Sequence, residues 1–221
     1  MKNFFEDALN FLFPKTCIIC GKLEKNLICE KCSKKFKKYE IFNVIDVPEN
    51  IKKNVYFDSL FSCYYYKGLF RKILLSYKFN GKSYLCNYFA KMLLNCKKTH
   101  DFFSIYDIII PVPMYKEKKL ERGYNQTELI TDIIAENTGI FNGKALVNKI
   151  KKTKTQSLLN LEERKENVEN AFSISNKELL KNKNIILFDD ICTTGFTVNE
   201  ISKILKENGA KKIIVLVLAK D

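Results

Sequence analysis

Residues 185–197 read IILFDDICTTGFT. The apolar run 185–188 has the length of a buried strand and is too short for a core helix. Two carboxylates, Asp189 and Asp190, follow at once. Cys192-Thr193-Thr194-Gly195-Phe196-Thr197 then makes a small-residue turn, and 198–208 has helical spacing up to a stop at Gly209. Strand, acidic tip, turn and helix start form a layout with a chemical logic. Backbone N–H groups at a helix start cradle a phosphate dianion. Thr193, Thr194 and Thr197 add hydroxyl donors, and Gly195 permits close approach of the backbone. Asp189 and Asp190 can accept hydrogen bonds from two sugar hydroxyls or join a magnesium shell. A ribose 5-phosphate compound satisfies both halves. Neither GxxxxGK[ST] nor GxGxxG accompanies this run, so a triphosphate P-loop or a dinucleotide fingerprint is not supported. Taken singly, these residues have plainer uses: Thr197 with Glu200 fits a capping box, and Cys192 fits a small filler.

Outward from this stretch the chain alternates between strand and helix patterns. Residues 59–66 read as a strand, 67–79 and 83–94 as helices, and 106–112 as an apolar strand. A helix is expected over 126–137, with Asn125 and Glu128 as N-cap and capping-box partner and Gly139 as the stop. Residues 145–150 give a weaker strand, 151–169 a charged loop or exposed helix, and 213–218 a last strand. Such alternation predicts an α/β domain with a doubly wound, mostly parallel sheet, which binds ligands at the carboxyl ends of its strands. A short amphipathic helix is expected over 4–13, and 41–57 reads as a connector.

The 221 residues carry 38 Lys and Arg against 25 Asp and Glu, a formal charge of +13. A field of that sign favours polyanions or phosphate-rich ligands. A Lys-, Asn-, Ile- and Phe-rich composition of the kind an AT-rich gene encodes explains the charge equally well. No apolar run is long enough to span a bilayer, and Glu6 and Asp7 interrupt the apolar N-terminus. The expectation is a cytoplasmic protein with reduced cysteines. Cys17, Cys20, Cys29 and Cys32 make two CxxC pairs in a Lys-rich segment with no core of its own. Four thiolates are the usual shell of structural Zn²⁺; disulfides and an iron–sulfur centre are the alternatives. Cys63, Cys86 and Cys96 read as small hydrophobes or surface thiols, and the lone His100 has no partner motif.

Further motifs stand between these features: Ile110-Pro-Val-Pro113, Arg122-Gly-Tyr-Asn-Gln126, Thr155-Gln156, Arg164, and Asn167-Val-Glu-Asn-Ala-Phe172. The DDxxTTGxT run resembles the phosphoribosyl-pyrophosphate signature of type I phosphoribosyltransferases. Together with the PVP, RGYNQ, TQ, R and NVxxAF motifs and the Cys₄ knuckle, the chain resembles the ComF family of competence and DNA-uptake proteins. That resemblance implies a type I phosphoribosyltransferase-like sheet at 46–221 and a small zinc-finger module at 1–45. It implies phosphoribosyl pyrophosphate, with Mg²⁺, on Asp189, Asp190, Cys192, Thr193, Thr194, Gly195 and Thr197. It adds Val112 and Pro113 in the loop after the first core strand, together with Arg122 and Arg164. Lys118 and Lys119 stand near that loop, and 149–164 matches a mobile loop that closes over ligand. Single-stranded DNA is the implied macromolecular partner, with a helicase or membrane channel of the uptake machinery beyond it. The alternatives are a transferase acting on an unidentified acceptor and a ligand-sensing scaffold. No acceptor pocket, catalytic residue or glutaminase nucleophile is legible, and no Cys follows Met1.

Overall fold

The computed structural model describes residues 16–47, 54–154 and 160–221. The helix expected at 4–13 lies outside the described residues, as do Thr155 and Gln156. The strands are β1 (Glu40–Asp46), β2 (Ser59–Tyr65), β3 (Ile108–Pro111), β4 (Phe141–Asn142), β5 (Val147–Lys149), β6 (Phe172–Ile174), β7 (Asn184–Cys192) and β8 (Lys212–Lys220). The α-helices are α1 (Glu30–Phe36), α2 (Gly68–Phe79), α3 (Leu85–Asn95), α4 (Lys97–Ile105), α5 (Lys116–Arg122), α6 (Gln126–Thr138), α7 (Leu161–Val168) and α8 (Phe196–Glu207). One sheet has the order β1-β2-β8-β7-β3-β4. All its pairs are parallel except β1 with β2. This is the expected mixed α/β architecture.

Period-two alternation along the central strands feeds two cores. Ile186, Phe188, Ile214 and Leu216 pack with Leu74 of α2, Phe89 of α3 and Ile130 of α6. Ile185, Leu187, Val215 and Val217 pack on the other face with Val198, Ile201 and Leu205 of α8. Parallel strands covered on both faces need such continuous apolar runs. Each fully buried Ile, Leu or Phe contributes about 1.5–3 kcal/mol of transfer free energy. Among the described residues no helix is long and apolar enough to cross a membrane.

The structure differs from the sequence expectations at several places. Residues 41–46 are no connector but most of β1, an edge strand whose partial burial hides its period. The 145–150 strand forms, as β5, yet it pairs antiparallel with β6 outside the main sheet. Within the charged 151–169 stretch, α7 forms behind a capping box between Asn160 and Glu163. Asn167 then clamps Lys154: its Oδ1 accepts from the Lys154 N–H at 2.8 Å, and its amide donates to the Lys154 carbonyl at 2.9 Å. Val168, Ala171 and Phe172 of the same motif are core residues. Asn125 does cap α6, but it accepts from the Thr127 N–H, and Glu128 bonds the Asn125 side-chain amide instead of its backbone. The Thr197–Glu200 box does not form. Gly195 is the N-cap of α8, which places Thr197 inside the first turn, while Glu200 accepts the Asn170 N–H at 3.0 Å.

Candidate functional site

Strand β7 runs through Cys192, so both carboxylates belong to the strand. Alternation then sends them to opposite sides. Asp190 follows Ile186 and Phe188 toward α2, where Lys78 Nζ meets its Oδ1 at 2.8 Å. Asp189 lines a small cavity on the α8 side with Cys192, Thr193, Gly195, Phe196, Thr197 and Val198. The sequence places the two aspartates side by side; the fold gives them separate neighbours. The Asp190 N–H still donates to the Asp189 carboxylate at 2.8 Å.

The loop beneath them is shaped by Gly195, whose φ of 78° is the left-handed conformation that disfavours a side chain. No side chain caps α8. Its start lies at the positive end of the helix dipole, which favours an anion. Cys192 is buried, and burial, with the Asp189 charge second, pushes its thiol up to about 12. It is a filler at the cavity wall with no thiolate character.

Cations surround the strand tip. Arg122, at the end of α5, stands near Asp190, and Lys118 stands near Arg122 and Lys78. Lys149 of β5 feels the charges of Lys118 and Asp189, and its Nζ donates to Thr153 Oγ1 at 2.7 Å. Burial, then the Lys118 charge, pulls the Lys149 ammonium down to about 8, against the pull of Asp189. Burial and the charge of Asp190 push the Asp189 carboxyl up to about 7, with Lys78 opposing. Four cations against Asp189, Asp190 and Glu121 leave a positive surplus suited to phosphate groups. Sequence reading missed Lys78 and Lys149, since nothing sets either apart among 38 Lys and Arg.

The remaining expected residues divide. Lys119 pairs with Glu128 at 2.5 Å. The Val112 N–H donates to the Phe188 carbonyl at 2.8 Å, and its own carbonyl accepts from Thr127 Oγ1 at 2.8 Å and Asn125 Nδ2 at 3.2 Å. Its peptide groups are thus committed to holding the loop, and Pro113 has no N–H to offer. Arg164 lies in α7 and does not line the cavity. The RGYNQ segment has a further duty. Tyr124 Oη donates to the Tyr77 carbonyl at 2.7 Å, and Tyr77 Oη donates to the Gln126 carbonyl at 2.8 Å. This crossed pair fixes the end of α2, and with it Lys78, against the start of α6.

Cys17, Cys20, Cys29 and Cys32 converge, with all four sulfurs within 4.8 Å of one another. Tetrahedral coordination at about 2.3 Å demands sulfurs about 3.8 Å apart. Cys20 and Cys29 Sγ are 3.8 Å apart. Gly21, at φ 72°, donates its N–H to the Cys17 carbonyl at 2.8 Å and closes the first knuckle. Burial resists ionisation of Cys17, yet N–H groups of Cys29, Cys20 and Ile19 outweigh it and bring the thiol down to about 6. These four cysteines can hold a metal ion. The cluster packs into the main core through Phe36, whose ring lies edge-on to Tyr64 and Phe70 at 6.3 and 6.0 Å.

Comparisons with known proteins agree with this geometry. Residues 133–221 match the model of the phosphoribosyl transferase domain. Competence protein F of Haemophilus influenzae is 30% identical over the full length of both chains. Competence protein ComFC of Bacillus subtilis is 28% identical over 91% of this chain and 83% of its own. The DNA utilization protein YhgH of Salmonella typhimurium is 30% identical over 65% of this chain and 63% of its own. The chain belongs to the ComF family of competence proteins.

Proposed function

We propose that this protein is a DNA-uptake factor of the ComF type that binds phosphoribosyl pyrophosphate with magnesium and carries single-stranded DNA on its basic surface. One arrangement supports the reading most: carboxylates near the end of β7, the positive end of the α8 dipole beneath them, and Lys78, Lys118, Arg122 and Lys149 close by. Asp189 and Asp190 would take the ribose hydroxyls. The 193–197 turn would take the 5-phosphate. The cations would take pyrophosphate, with Arg164 delivered by the 149–164 segment. Magnesium suits such a donor set, because it keeps most of its water and needs only one or two carboxylates beside phosphate oxygens.

The metal at Cys17, Cys20, Cys29 and Cys32 would be zinc in a structural role, since four thiolates leave no open position. Residues 1–45 would form the finger module and 46–221 the phosphoribosyltransferase-like domain, working in the cytoplasm beside the uptake machinery. Titration calorimetry with phosphoribosyl pyrophosphate and Mg²⁺ tests the pocket. Wild type should bind, and D189N with D190N should not; equal binding by both would remove the assignment. Labelled single strands should bind tightly at low salt and weaken steeply as salt rises.

A further inference from the structure

Phe79 ends α2 and is 65% exposed, a large apolar ring left in water on a chain of +13. It does not stand at random. The residue before it, Lys78, is bonded to Asp190 at the strand tip. The residue before that, Tyr77, is locked to α6 by the crossed tyrosine bonds. The guanidinium of Arg122, itself near Asp190, lies 5.2 Å from the Phe79 ring centroid. Beside this cation the Phe79 side chain keeps much of its surface in solvent. Tyr84, five residues on, is also half exposed. A cation-backed aromatic ring next to the Lys78–Asp190 pair matches the chemistry of base stacking.

We infer that Phe79, backed by Arg122, is a stacking platform for a nucleobase beside Asp190, on the α2 side of β7. The placement rests on the sugar-phosphate reading of that site. The base can belong to a single strand or arrive free as an acceptor; both present the same planar face. A protein partner is the less favoured occupant, because a surface this basic attracts polyanions.

The chain contains no Trp, so F79W carries a single reporter at the platform. Oligothymidylate should quench its emission saturably, whereas an abasic strand of equal length should not. F79A should weaken oligothymidylate binding about tenfold with an unchanged salt slope, since stacking releases no counterions. Both variants should keep the melting temperature of wild type within a few degrees. Quenching by strands assigns the base to DNA, and quenching by free bases alone assigns it to an acceptor. No quenching by either, or equal binding by F79A and wild type, overturns the platform. Calorimetry of wild type with phosphoribosyl pyrophosphate reports separately on the pocket. Binding there without quenching fails the platform alone. Quenching without binding there keeps a base site and removes its link to the sugar phosphate.

Discussion

Lys78 and Asp190 join the last turn of α2 to the tip of β7 at 2.8 Å, with the Asp190 side chain almost wholly buried. Removing one partner of a buried pair strands the other charge. K78M should therefore cost about 3 kcal/mol in urea unfolding at pH 7. Adding D190N should recover most of it, because the Asp190 charge no longer lacks its partner. A K78M variant as stable as wild type would show that Asp190 finds water or another cation.

The crossed tyrosines should behave as one unit. Y77F and Y124F each remove a hydroxyl donor to a backbone carbonyl, at about 1 kcal/mol apiece. Their rings stand 6.1 Å apart, so the double variant should depart from additivity. Strict additivity in a double-mutant cycle would mean that the two bonds act independently.

Metal loss should reach well beyond the finger. C29S should lower the bound metal measured by elemental analysis and lower the melting temperature of the whole chain in one transition. The reason is Phe36, which couples the cluster to Tyr64 and Phe70. Two separate transitions, with the second unchanged, would show that the contact carries little energy.

Lys149 gives a proton-linked signature. Its ammonium, held at about 8 in the ligand-free protein, is roughly half protonated at pH 8. An anionic ligand favours the charged form, so binding at that pH should take up protons. Calorimetry in buffers of different ionisation enthalpy measures this, and K149M should abolish it. The stability sign follows from the same shift. Between about 8 and 10.5 the unfolded chain keeps a proton that the native chain has shed, so stability rises with pH across that window. K149M should flatten the rise.

The central sheet was legible because burial on both faces demands long apolar runs, and 185–188 and 213–218 are such runs. The DDxxTTGxT stretch stands out in the sequence because a buried strand, paired carboxylates and a small-residue turn at a helix start coincide there. Strand β1 was not, because an edge strand needs only one partner and keeps polar residues. Helix α5, KEKKLER, buries nothing, so no periodic signal announces it. Lys78 and Lys149 were invisible for another reason. Their role comes from tertiary proximity to Asp190 and Asp189, and their own residue type is the commonplace of this chain. The opposed directions of the two aspartates were implicit in strand alternation, once β7 was known to continue through them.

Strand β1 also bears on how the protein can be trimmed. It lies along β2 and occupies the margin of the sheet there. Deleting the chain up to residue 47 would bare a row of unsatisfied amides and carbonyls, the kind of border along which neighbouring chains polymerise. Strand β1 therefore acts as a hem, and a protein shortened past it should precipitate before it can be assayed for anything else.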